Sequence, residues 1–162
     1  MKVVISRLPA TIEEFKAMPQ ADLSDPADTC AMFLCACELF IADREAGREA
    51  MNLLRGPRPM TEYDMQFLRN RFMDKKYLPK VYFEGASPDN NYEPDRPYTL
   101  EVFDDTSSAK PQPGYLRLFL KTAGADSKRP ITLRSKADKW YLWEYSSILL
   151  GVIPPKAEDP WA

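Results

Sequence analysis

Pro26–Ala42 reads PADTCAMFLCACELFIA. From position 30 to position 41 its one charged residue is Glu38. Cysteine, alanine, methionine, phenylalanine, leucine and isoleucine fall on every side of a 3.6-residue wheel, so the stretch predicts a helix with no face for water, and such a helix belongs at the centre of a domain. Asp25 is a suitable N-cap, and Pro26 stands in the first turn, where helices accept proline.

The neighbouring stretches supply the wrapping. Thr11 and Glu14 form a capping-box pattern that starts a short helix ending before Pro19, with Ile12, Phe15 and Met18 as its buried face. Asp43 opens a third helix that reaches Arg55, and Ala46, Ala50, Leu53 and Leu54 recur along it as an amphipathic stripe. Gly56, Pro57 and Pro59 stop that helix. Thr61 and Asp64 start a fourth helix, which runs to about residue 73, with Met65, Leu68 and Phe72 on one face and Tyr63 and Phe67 on the other. Residues 74–97 show no period and carry four prolines with Tyr77, Tyr82, Phe83 and Tyr92 between them, so they either pack by their own side chains or serve a site. One short strand fits within 78–83.

From Tyr98 the period changes to two. Tyr98, Leu100 and Val102 alternate with polar neighbours, as do Leu116, Leu118 and Leu120, then Ile131 and Leu133. Ala137-Asp138 makes a tight turn into a last strand where Trp140 and Leu142 alternate with Tyr141, Trp143 and Tyr145. Residues 3–5 suit a short edge strand or an unstructured start. Helices first and strands second give an α+β domain, with a bundle of about four helices around residues 26–42 packed on an antiparallel meander of about four strands. The reading places a single domain over 1–153 and a tail over 154–162.

The chain has 162 residues, 22 basic and 24 acidic side chains and no histidine. The net charge of −2 gives no global attraction to nucleic acid or an anionic membrane. Histidine triads, histidine metal sites and histidine pH switches are excluded. Residues 3–5 are too short for a signal-peptide core, and the apolar helix is too short for a bilayer that requires ~20 residues. The expectation is a cytoplasmic protein, or one relieved of an export signal.

Cys30, Cys35 and Cys37 lie on one helix without the convergent spacing zinc needs, and no base or cation neighbours them in sequence, so they read as ordinary buried cysteines. Glu38 either pairs with an arginine, sits where the helix surfaces, or stays unpaired with a raised pKa, the condition of a general acid. Arg55 and Arg58 flank a rigid turn in a fork that suits carboxylate or phosphate, although Arg55 also complements the C-terminal dipole of its helix. Residues 98–162 carry 9 basic against 8 acidic side chains, whereas 1–97 carry 13 against 16. The basic excess therefore lies in the sheet, where Arg117, Arg134 and Lys136 suit an outer face, with Arg129 nearby. Beside Tyr141, Trp143 and Tyr145 these would form an aromatic and basic face for an acidic partner or, with less support, a single strand of nucleic acid, the bland reading being a solvated sheet face. No aromatic signature of RNA-recognition type is present.

Five runs together, LRGPRP at 54–59, RFMD at 71–74, YFEGASPDNNY at 82–92, SKRPITLR at 127–134 and WYLWE at 140–144, resemble a family of small uncharacterised bacterial proteins from Firmicutes, a domain of unknown function. That resemblance implies a bacterial, soluble, single-domain protein and carries over no catalytic or binding residue.

Two functions follow as expectations. The favoured one is a non-enzymatic binding module that holds a protein or a small anionic ligand on the basic and aromatic sheet face or on segment 77–98, without a cofactor. Its candidate residues are Arg55, Arg58, Arg117, Arg129, Arg134, Lys136, Tyr141 and Trp143. The other is a small enzyme with Glu38 or Glu84 as acid/base and Arg55 or Arg58 fixing an anionic substrate.

Overall fold

A computed structural model describes residues 1–161. The elements are β1 (Lys2–Ile5), α1 (Ile12–Ala17), α2 (Pro26–Ala42), α3 (Arg44–Arg55), α4 (Glu62–Phe72), β2 (Tyr98–Asp104), β3 (Tyr115–Leu120), β4 (Arg129–Lys136) and β5 (Lys139–Glu144). The class is α+β, with four α-helices in the first half and a five-stranded antiparallel sheet in the order β1-β2-β3-β4-β5. Residues 3–5 are thus an edge strand, paired through Val3 with Leu100 and through Ile5 with Tyr98. They add a fifth strand to the meander of four.

α2 is buried on all sides. Twelve of its residues are inaccessible, among them Cys30, Met32, Phe33, Leu34, Cys35, Cys37 and Leu39. Each large apolar side chain removed from water in this way contributes about 1.5–3 kcal/mol. The Asp25 carboxylate accepts the Ala27 N–H as the cap. α3 covers one flank, the 3-10 turns Pro19–Asp22 and Leu78–Lys80 cover others, and β1, β2 and β5 close the rest.

This contact set explains the shape of the sheet. A flat five-stranded sheet would hold its edge strands ~19 Å apart at the usual strand spacing. A helix is only about 10 Å across. One helix touches both edge strands here, so the sheet curls around it into a half-barrel. The β5 edge is also tied to the helical layer: the Trp140 N–H donates to the Leu23 carbonyl at 2.9 Å, and the Thr29 hydroxyl donates to the Trp140 carbonyl at 2.7 Å. Edge backbone groups that would otherwise invite pairing are satisfied.

Several expectations are corrected. The buried stripe of α3 is Gly47, Ala50, Met51, Leu54 and Arg55, and Leu53 is exposed. Gly47 moves the stripe, because a Cβ there would stand 2.3 Å from the Phe40 Cα. On α1, Phe15 is buried while Ile12 and Met18 are only half-buried, and Glu14 reaches back to the Ala10 N–H rather than to its cap. Residues 78–83 are not a strand. Pro79 lacks the ladder N–H, the chain turns as 3-10 helix over Leu78–Lys80, and Phe83 alone bridges Leu100. The irregular segment packs by its own side chains: Leu78, Val81, Tyr82, Phe83 and Tyr92 are buried, and Tyr92 stacks on Tyr77 at 5.4 Å. After β5 the chain returns to this segment. The Tyr92 hydroxyl donates to the Ile153 carbonyl at 2.7 Å, and Lys156 pairs with Asp89 at 2.5 Å.

Gly47 gives a test in which two effects oppose each other. Gly47→Ala gains about 1 kcal/mol of helix propensity but drives a methyl into the α2 backbone, an overpacking cost of about 1–3 kcal/mol. The expected net result is a lower urea midpoint. A higher midpoint would mean that the two helices are not held at this separation.

A candidate anion-binding cleft between the 56–60 turn and the sheet

The turn that ends α3 is held by one arginine. Arg55 Nε donates to the Arg58 carbonyl at 2.8 Å, Nη1 donates to the Tyr145 hydroxyl at 3.0 Å, and Nη2 pairs with Asp64 at 3.2 Å. Its side chain is 5% exposed. Asn52 accepts the Met60 N–H at 2.7 Å and closes the other side of the turn. Gly56 is required here: its φ is +64° and a Cβ would stand 2.8 Å from the Tyr141 ring. The turn is therefore laid directly on the outer face of β5.

A β-bulge sets the opposite wall. Thr132 pairs with Glu144 and Leu133 with Leu142, which leaves Trp143 opposite no residue. Its carbonyl, released from the ladder, accepts from Arg58 Nη2 at 2.6 Å. The extra residue shifts the alternation by one, so Tyr145 turns into the core at 7% exposure instead of joining Tyr141 and Trp143 outside. Trp143 then carries two guanidinium groups, Arg58 at 4.0 Å and Arg134 at 4.8 Å from the ring centroid. Tyr115, in register with Arg134 across β3–β4, meets Trp143 edge-on at 5.3 Å.

Between the two walls lies a cleft of about 220 Å³, lined by Arg55, Pro57, Arg58, Arg134, Ser135, Lys136, Tyr141 and Trp143. Four of these are cations and none is an acid. Arg55 is committed to its internal partners, so its role is to build the site and not to meet a ligand. Arg58, Arg134 and Lys136 have no carboxylate partner among the described residues. Burial first, and then the Arg55 charge, push Arg58 below the ordinary arginine range, and its Nε is buried without an acceptor. Two like charges on one indole and an unpaired buried donor form an arrangement that an anion would relieve.

Six of the eight residues predicted from sequence thus converge here. The other two do not. Arg117 pairs with Asp105 at 2.7 Å and also donates to Ser107 and Ala109, which pins the 105–109 loop. Arg129 donates to the Gly151 carbonyl at 2.8 Å and holds the chain after β5. Pro57 and Ser135 line the cleft beside the predicted residues, and Tyr115 supports Trp143 from β3, where it pairs with Arg134.

The acid/base candidates lie outside the cleft. Glu84 is exposed and paired with Lys2 at 2.8 Å. Glu38 has no arginine partner among the described residues, and its Oε2 is buried without a hydrogen bond. Burial raises its pKa, Lys80 opposes the rise and Glu93 adds to it. On the far side of Arg58 a second cleft of about 210 Å³ does contain carboxylates, Asp64 and Glu144. Burial pushes both up, but hydrogen bonds from Thr61 to Asp64 and from Ser146 to Glu144, with the nearby arginines, outweigh it and hold both below the usual range. Neither keeps a proton near neutral pH to serve as a general acid. The three cysteines are fully buried and free, their thiols pushed up by burial. Among the described residues no group of histidine, cysteine, aspartate or glutamate side chains is placed to hold a metal ion, and no helix is long and apolar enough to cross a membrane.

The chain belongs to a family defined as a domain of unknown function, DUF6935, whose model matches residues 7–156. No curated protein and no solved structure matches it.

The Asp64 carboxylate, held ionised first by hydrogen bonds from Thr61 and then by Arg55, makes a pH-dependent contribution with a defined sign. The folded Asp64 carboxyl lies below its ordinary value, so the stabilisation is complete above about pH 4 and is lost as the pH falls through the folded pKa. Asp64→Asn leaves Arg55 buried without its counter-charge and should cost roughly 3 kcal/mol at neutral pH. In urea unfolding the gap to the parent protein should narrow as the pH is taken below 4. A gap independent of pH would remove the ionised Asp64 carboxylate from the account.

Proposed function

We propose that this protein is a binding module for an anionic group, a carboxylate or a phosphate, received in the cleft between the 56–60 turn and the outer face of β4 and β5. The observation that carries this reading is the convergence of Arg58, Arg134 and Lys136, none with a carboxylate partner, over Trp143 and Tyr141 in a cleft lined by no acid. Arg58 is the expected principal contact, because it is half-buried and already oriented by the Trp143 carbonyl. Arg134 and Lys136 are exposed and supply charge at the mouth. In this reading the protein is a soluble cytoplasmic module of a bacterium. Its buried unpaired cysteines and its resemblance to small bacterial proteins support that placement. Catalysis has less support, since the carboxylates nearest the arginines are held ionised by hydrogen bonds.

The cleft can be probed with inorganic phosphate, citrate and a short oligoglutamate peptide, in a Trp140→Phe, Trp161→Phe background that leaves Trp143 as the sole indole reporter. At least one probe should perturb Trp143 emission saturably, and the effect should weaken as salt screens the charges. Replacing Arg134 and Lys136 together by glutamate should weaken that binding at least tenfold, about 1.4 kcal/mol. Arg58→Gln should do the same in a protein that still unfolds cooperatively, at a melting temperature lowered by the loss of the Trp143 contacts. The reading fails if every probe leaves Trp143 unaffected, or if the charge-reversed variant binds as the parent does.

A further inference from the structure

A different cleft lies at the opposite end of α4 from the one just described. Its volume is about 290 Å³; Phe40 and Ile41 of α2 and Phe72 and Met73 at the end of α4 form its floor, and Arg44, Arg69 and Lys76 form its rim. The floor is apolar and opens through Met73, 54% exposed, and half-buried Ile41; beneath them the Phe40 and Phe72 rings lie 5.9 Å apart and are 6% and 5% exposed. None of the three rim cations has a carboxylate partner among the described residues. Asp43, next to Arg44 in the chain, is occupied as the cap of α3 by the Glu45 and Ala46 N–H groups. An apolar floor under unpaired cations fits an occupant that pairs a large apolar side chain with carboxylates.

The chain carries such a segment. Residues 158–161 read Glu-Asp-Pro-Trp, and Trp161 is 93% exposed, more than any other large hydrophobic side chain described. Glu158 and Asp159 make no salt bridge among the described residues. The Asp159 carboxylate accepts the Trp161 N–H at 2.8 Å, which holds acid and indole in one compact turn. Within its own molecule this segment is committed elsewhere. The 3-10 turn Lys156–Glu158 packs on the turn Pro88–Asn90, and Lys156 is paired with Asp89. The indole is left in water.

We propose that the cleft receives the 158–161 segment of a second copy of this chain, with the Trp161 indole against Ile41 and Met73 above the Phe40 and Phe72 rings and the Glu158 and Asp159 carboxylates facing Arg44, Arg69 and Lys76. Each docked tryptophan buries an area of about 150–250 Å². Two such contacts, exchanged reciprocally, fall well below the roughly 1,200 Å² of a stable interface. The association is therefore weak, concentration-dependent and salt-sensitive. Reciprocal exchange closes a dimer, whereas one-way docking extends a chain.

Sedimentation of the full chain over a concentration series, at low and high salt, tests this directly. The weight-average mass should rise with concentration at low salt and fall back when salt is added. Trp161→Ala, Glu158→Lys with Asp159→Lys, and Arg44→Glu with Arg69→Glu should each weaken association at least tenfold. All five positions are exposed or half-buried, so the variants should melt with the parent. Mixing the tail-reversed and cleft-reversed variants should restore association, because each then carries the other's complement. A parent that stays monomeric throughout overturns the proposal, even if an acidic peptide of another sequence occupies the cleft. So does association that survives Trp161→Ala, or that needs Trp161 but ignores the Arg44 and Arg69 reversal.

Discussion

A helix with no side for water is the constraint from which the rest of the structure follows. α2 cannot be stable until it is enclosed, and no single layer encloses it. α3 approaches so closely that a glycine is needed where the two backbones meet. The sheet is drawn into a curl that brings both its edges to the same helix. Residues 74–97, which form no extended regular element, still bury Leu78, Val81, Tyr82, Phe83 and Tyr92, because the space beside α2 has to be filled by something. The irregularity of that segment is in its backbone and not in its packing.

The cleft depends on a second and more local arrangement, a division of labour between two arginines three residues apart. Arg55 is spent on structure: it ties the turn to its own backbone, to Asp64 on α4 and to Tyr145 beyond β5. Arg58 is placed by that work. Its side chain reaches a carbonyl that exists only because Trp143 is bulged out of the ladder. The same bulge turns Tyr145 inward to meet Arg55. One extra residue in β5 therefore serves both arginines, freeing an acceptor for one and delivering a hydroxyl to the other.

Most of the architecture was legible because its signals are local. The caps at Thr11, Asp25, Asp43 and Thr61, the breakers after Arg55, and the change of period at Tyr98 each act over a few residues, and each marks an element at its expected place. Apart from Pro79, which turns 78–83 away from a strand, and Glu14, which bonds Ala10 instead of its cap, the misses are long-range. Leu53 satisfies the helical period as well as Met51 does, and only the approach of Phe40 to Gly47 decides between them. Nothing in WYLWEY announces a bulge, so Tyr145 reads as an outward residue. Arg117 and Arg129 read as free cations because Asp105 and the Gly151 carbonyl are brought to them by folds of the chain that charge patterning does not encode. The cleft could be anticipated as a set of residue types, but its assembly depends on contacts such as Arg58 to Trp143, 85 positions apart.

The placement of Cys30, Cys35 and Cys37 has a practical consequence. Cys30, Cys35 and Cys37 are fully buried in the core with no exposure, and their acidity is suppressed by the same surroundings. A thiol-directed alkylating reagent offered to the native protein meets no target, and one offered to an opened molecule meets three at once. The native population consequently carries its own chemical clock for global opening, readable by mass increments without any engineered label, and its reduced state does not require a protective additive on the bench.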